Sequence, residues 1–162
     1  MNRPDKIDIV IYPKYSITTN MKDPIIIGVD KEITSEHDLE LSILSNLEFF
    51  FKQLGEGFLY AGHQYKLSDG NKNYYVDILL FNVKLNCYIV VELKLRSLKK
   101  EDKAQMEYYM KLVDENLKLP HHNKAIGIII TKESDKLIAN FIKSEEIIPL
   151  TYKLEQIREK VK

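Results

Sequence analysis

Cysteine is almost absent from this chain: Cys87 is the single one in 162 residues. One thiol permits no disulfide within the chain and no cysteine cluster for zinc, so a reducing, cytoplasmic setting is expected. An excess of either charge is missing too. The 24 Lys and Arg residues balance 24 Asp and Glu, giving a formal net charge of zero. Bulk electrostatics therefore do not announce a nucleic-acid binder, and any polyanion must be held by a local patch. No apolar run approaches the ~20 residues that a membrane helix needs. The opening residues Met1 to Lys6 lack the apolar stretch of a signal peptide. No internal repeat or low-complexity tract is present. What remains is 44% hydrophobic and 30% charged, the make-up of a globular protein with one real core.

The most informative stretch runs from Tyr74 to Lys94. Tyr75-Val76-Asp77-Ile78-Leu79-Leu80-Phe81 and Cys87-Tyr88-Ile89-Val90-Val91-Glu92-Leu93-Lys94 are apolar, β-branched and aromatic, as buried strands are. Yet Asp77, Glu92 and Lys94 place charge inside them. A buried unpaired charge costs several kcal/mol, roughly, so such groups persist when paired or bound to metal. Residues two apart on a strand share a face, which puts Glu92 beside Lys94 and leaves Val91, Leu93 and Leu95 opposite. If the two strands pair, Asp77 joins Glu92. Two touching carboxylates repel, and a divalent cation resolves the repulsion. All-oxygen ligands, with the Leu93 carbonyl as a further one, suit Mg2+ or Mn2+. Lys94 alongside would orient a water and offset charge building on phosphorus. The bland alternative is an Asp77–Lys94 ion pair with a solvated Glu92.

Around this core the pattern predicts a helix from Thr34 or Ser35 to Leu54, with Leu39, Ile43, Leu47, Phe50 and Leu54 on one face. Ser35 is the candidate cap, with Asp38 three residues on. Phe58 to Leu67 is a predicted strand, with Phe58, Tyr60, Gly62 and Gln64 on one side. Ser68-Asp69-Gly70-Asn71 is hairpin-turn chemistry. Three strands with short connections imply an antiparallel meander. A helix follows from Leu98 to Leu119, its packed face marked by Ala104, Tyr108, Leu112 and Val113, with Met106 and Met110 nearby. Pro120 closes it. Ala125 to Ile130 reads as a strand buried on both faces, Ser134 to Lys143 as a short helix and Ile147 to Tyr152 as a last strand. Towards the N-terminus, Ile7 to Tyr12 alternates like an edge strand, and Ile25 to Val29 is a strand or an apolar anchor. The expected organisation is an N-terminal extension (1–35), one α/β domain with a mixed sheet flanked by helices (36–154) and a charged helical tail (155–162). Arg96, Lys99, Lys100 and Lys103 form a basic run beside the acidic strands that would hold phosphates without reading sequence. His121-His122 has no spaced ligand partners for zinc.

The order helix, meander, helix, strand with Asp77 and Glu92-Leu93-Lys94 resembles the PD-(D/E)XK nuclease superfamily. Residues 38–154 resemble more closely its YhcG-type nuclease domain. The stretches Gln53 to Phe58, His63-Gln64-Tyr65, Tyr75 to Phe81, Cys87 to Lys94, Gln105 to Tyr109 and Gly127 to Ile130 carry the likeness. The resemblance implies a restriction-endonuclease-like fold and a Mg2+- or Mn2+-dependent endonuclease acting on DNA phosphodiester bonds, with RNA left open and a homodimer possible. It implies that Asp77 and Glu92 bind metal and that Lys94 assists the attacking water. It also implies an acidic residue on the first helix, Glu40 with Glu48 as competitor, and an active-site Gln105 on the second. His63, where the family pattern has Arg, and Gln64 are its further nucleic-acid contacts. Relatives carry a separate N-terminal domain for which residues 1–35 leave little room, so a stand-alone domain or a fragment is expected. The alternative function is a catalytically silent nucleic-acid-binding or protein-interaction module on the same fold.

Overall fold

A computed structural model describes residues 21–157. The strand expected at Ile7 to Tyr12 and most of the expected tail lie outside the described residues. Ten elements follow in order: β1 (Ile25–Val29), α1 (Glu36–Leu44), α2 (Leu47–Leu54), β2 (Phe58–Ser68), β3 (Asn73–Asn82), β4 (Cys87–Lys94), α3 (Glu101–Asn116), β5 (Ile126–Thr131), α4 (Lys136–Ile142) and β6 (Ile147–Gln156). They build one six-stranded sheet in the order β1-β6-β5-β4-β3-β2. The meander β2-β3-β4 is antiparallel, whereas β4, β5, β6 and β1 run parallel. This is the mixed sheet that short turns followed by a helical crossover require.

Two apolar cores sandwich the sheet. Leu39, Ile43, Phe50 and Leu54 of α1 and α2 pack with Ile78, Leu80, Ile89, Val91 and Leu93. On the other face Met106, Met110 and Val113 of α3 pack with Leu79, Val90 and Ile129. Alternate residues of β4 thus serve opposite cores, as strand geometry demands.

Three expectations change and one open alternative is resolved. The first helix is two. Its apolar spacing runs unbroken to Leu54, but Ser45 and Asn46 interrupt it: Asn46 leaves the helical region (φ −147°, ψ 70°) and its side chain caps α2 by accepting from the Phe49 N–H at 3.2 Å. Asn at such a position competes for backbone groups and ends one helix while starting another. Ser35 caps α1 as expected, accepting from Asp38 N. Secondly, Ala104 and Tyr108 do not mark the buried face of α3. Met106 and Met110 do, and Tyr108 is 38% exposed. The methionines fit because Gly127 leaves room, since a Cβ there would lie 2.5 Å from Met106 Sδ. Thirdly, Ile25–Val29 is a strand. Gln53, buried on α2, pins it by accepting from Ile26 N (2.7 Å) and donating to Ile26 O (2.9 Å). Finally, β6 does not end at Tyr152. Pairing of Ile27 with Leu154 and of Val29 with Gln156 carries it into the segment expected to be helical.

The expected turn at Ser68 to Asn71 is present, and it is tied to α3. Asp69 accepts from Asn71 N, Lys72 N, Tyr74 OH and, at 2.7 Å, Tyr108 OH. No helix among the described residues is long and apolar enough to cross a membrane.

Candidate active site

The β3–β4 ladder pairs Ile78 with Val91 and goes no further. One step beyond stand Asp77 and Glu92, directly opposite each other. There the acidic side chains take over the bonds that the backbone ladder gives up. Glu92 Oε1 accepts from Asp77 N at 3.0 Å, and Asp77 Oδ2 accepts from Leu93 N at 2.8 Å. Glu92 is only 5% exposed. Burial, and then the Asp77 charge, push its carboxyl well above the usual range. Burial raises Asp77 as well, against the Leu93 N–H, Gln64 and Lys94, which pull it down. Two acids placed like this disfavour double ionisation, a repulsion of the kind that a divalent cation relieves. The Asp77–Lys94 ion pair of the bland alternative is absent: among the described residues no carboxylate lies within ion-pair distance of the half-buried Lys94. Its charge nonetheless acts on both acids. Because the Leu93 N–H faces β3, strand geometry turns its carbonyl to the same side.

Burial separates the two helical acids. Glu48 is a surface residue paired with Lys52 at 3.6 Å, its side chain 83% exposed. Glu40 is 1% exposed, and its Oε1 is buried without a hydrogen-bond partner. Its other oxygen accepts from Gln64 Nε2 at 3.0 Å, and the same nitrogen reaches Asp77 Oδ1 at 3.2 Å. His37 Nδ1 lies 3.6 Å from Glu40 as well. Among the described residues no three His, Cys, Asp or Glu side chains converge into a ready-made metal cage. The acids fit a hard cation nonetheless: the donors are all oxygen, Asp77 and Glu92 stand opposite each other, and Glu40 has an unpartnered oxygen one amide group away.

Other expected site residues take varied places. Gln105 is exposed on α3, 3.5 Å from the Tyr109 hydroxyl. Tyr109 is half-buried, and burial followed by the charges of Glu92 and Asp77 raises its phenol. Arg96, expected to meet phosphate, is engaged by Asp102 through both guanidinium nitrogens at 2.9 and 2.7 Å. Lys99 and Lys100 are exposed, and Lys103 lies 4.6 Å over the Phe141 ring. His63 is exposed and bonds Tyr60 OH at 2.6 Å. His122 packs on Phe81 and Tyr88 and accepts from Leu119 N. The facing of Gln64 escaped the alternation rule. Ala61 is an extra residue between the Tyr60–Leu80 and Gly62–Leu79 pairs, so facing changes beyond it. Gly62 within a strand was the available signal.

Residues 18–160 match the family described as the YhcG PDDEXK nuclease domain. The chain belongs to that family. The YhcG-type domain is 32% identical over 103 residues to the Escherichia coli (strain K12) protein named "Putative nuclease YhcG", covering 64% of this chain and 28% of that one. Two solved structures share its fold. A repair endonuclease from Pyrococcus abyssi superposes with a TM-score of 0.51 at 17% identity, over 79% of this chain and 50% of the other. An EndoMS-dsDNA2 complex gives 0.52 at 18%, over 80% and 49%. The chain thus spans less than a third of that curated relative and about half of each of these structures. The fold is restriction-endonuclease-like.

Proposed function

We propose that this YhcG-type domain is a metal-dependent endonuclease that hydrolyses DNA phosphodiester bonds. The observation that carries the proposal is the opposition of Asp77 and Glu92 just past the β3–β4 ladder, with Leu93 N–H on Asp77. Asp77, Glu92 and the Leu93 carbonyl would hold magnesium or manganese, with Glu40 as the further acid. A divalent cation bound there polarises a phosphoryl oxygen and makes water a better nucleophile. Lys94 sits on the same strand face as Glu92, where its ammonium orients the attacking water and balances charge on the phosphate. Gln105 and Tyr109 line the α3 side and position the scissile group. The solved EndoMS complex contains dsDNA, which supports DNA as the polyanion. Lys99, Lys100 and Lys103 supply phosphate contacts, and Arg96 orders the loop that presents them through Asp102.

The competing reading, a catalytically silent binding module, draws on the absence of a three-acid cage among the described residues. A plasmid-nicking assay separates the two. The expected result is cleavage that requires Mg2+ or Mn2+ and disappears in Asp77→Ala and Lys94→Ala. Salt-sensitive DNA binding without turnover would favour the silent module. Cleavage surviving both substitutions would remove the mechanism.

A further inference from the structure

Gln64 combines an unusual backbone with an unusual pair of partners. Its φ is +42°, a left-handed conformation that non-glycine residues adopt mainly where their surroundings enforce it. It lies three residues beyond the Ala61 bulge, a device that re-aims side chains. The result is that one nitrogen donates to two acids, Glu40 Oε2 at 3.0 Å and Asp77 Oδ1 at 3.2 Å. Carboxylate oxygens accept from an amide N–H, so the NH2 end of the amide faces both acids. By register Gln64, Asp77 and Glu92 form a row across β2, β3 and β4. Glu40 approaches that row from α1, whose neighbours Leu39 and Ile43 pack on the opposite face from α3. Apart from His37 at 3.6 Å, Gln64 is the one polar partner of Glu40 side-chain oxygens among the described residues.

We propose that Gln64 is a positioning residue: its amide ties Glu40 to Asp77 and thereby sets the affinity of the acidic row for a divalent cation. This replaces the direct nucleic-acid contact expected of Gln64, and it rests on the metal-binding reading of Asp77 and Glu92. Without the amide, two acids face each other with no donor between them. Glu40 then loses the bond that aims its free oxygen, and the row loses its third acid. Groups that orient metal ligands carry weight of this kind.

Calorimetric titration of the full chain with MnCl2 tests the proposal. Gln64→Gly removes the side chain while accepting the left-handed backbone. Gln64→Asn keeps an amide that tolerates this backbone but is one methylene too short to span both acids. Wild type is expected to bind Mn2+, and both variants to bind it about tenfold to hundredfold more weakly. In a Glu40→Ala background, Gln64→Gly is expected to add less than about twofold, because its effect runs through Glu40. Melting in chelator checks that each variant is folded. Wild-type affinity in Gln64→Gly, or an undiminished loss in the Glu40→Ala background, overturns the proposal. If wild type binds and Asp77→Ala does not, that failure belongs to Gln64 alone. If wild type and Asp77→Ala titrate alike, the metal-binding reading falls and this proposal falls with it.

Discussion

Glu40 and Glu48 show how burial divides two similar residues. Glu40 is enclosed with one oxygen unpartnered, and Glu48 lies in solvent beside Lys52. An unpartnered buried acceptor costs about 1–3 kcal/mol and is kept where something else uses it. Glu40→Ala is therefore expected to abolish nicking while leaving the melting temperature equal or higher. Glu48→Ala is expected to retain nicking and to change stability by less than about 0.5 kcal/mol. Parallel nicking assays and melts decide the point. Glu92 gives a second prediction. Its carboxyl is held up by burial and by Asp77, so in chelator the pair strains the fold. Glu92→Gln keeps the shape, accepts from Asp77 N and adds an N–H that can meet the Asp77 carboxylate. It is expected to raise stability by about 1 kcal/mol and to lower cleavage about a hundredfold or more. A Glu92→Gln protein that melts below wild type in chelator would contradict this account of the pair. Asp77 and Glu92 were legible from sequence because charge inside two apolar strands is conspicuous. The burial of Glu40 was not, since its spacing sets it beside the apolar face and only α1 packing on the sheet decides exposure.

At the level of elements, α3 depends on small features of its neighbours. Gly127 lets Met106 sit against β5, and a Cβ there would lie 2.5 Å from Met106 Cγ and Sδ. Gly127→Ala is expected to cost about 1–3 kcal/mol, read as a lower urea midpoint with an unchanged slope. The entry to α3 is held by Asp102, which takes both Arg96 nitrogens and the Lys99 N–H. Burial alone would raise its carboxyl, but Arg96 and the Lys99 N–H outweigh it and hold it below the usual range. A depressed carboxyl stabilises the fold above its unfolded pKa of about 3.9 and loses that contribution as pH falls through the folded value. Asp102→Asn is thus expected to melt below wild type at pH 7, with the gap closing as pH drops below about 4. A gap independent of pH would mean that the ion pair is not its source. Periodicity located α3 and the α1–α2 region but not their details. Three- and four-residue spacing runs straight through Ser45-Asn46, where a side-chain cap overrides it. On α3, spacing alone could not rank Ala104 and Tyr108 below Met106 and Met110, because the glycine that admits the methionines lies on another element.

For the whole molecule, one register decides the chemistry. Pairing of Ile78 with Val91 puts Asp77 opposite Glu92, whereas a slip of one residue would send one acid to the other face. The pairing of these two strands was readable from the short meander turns and the matched apolar runs. The row's extension through Gln64 to Glu40 was not, because it depends on a bulge that breaks alternation and on a helix from the far side of the sheet. The most direct measurement is an anomalous-difference map from crystals soaked in MnCl2. The predicted result is a peak within ligand distance of both Asp77 and Glu92 carboxylates and the Leu93 carbonyl. Saturating Mn2+ that leaves this position empty, with the Asp77 and Glu92 side chains still accepting from the Leu93 and Asp77 N–H groups, would contradict the account.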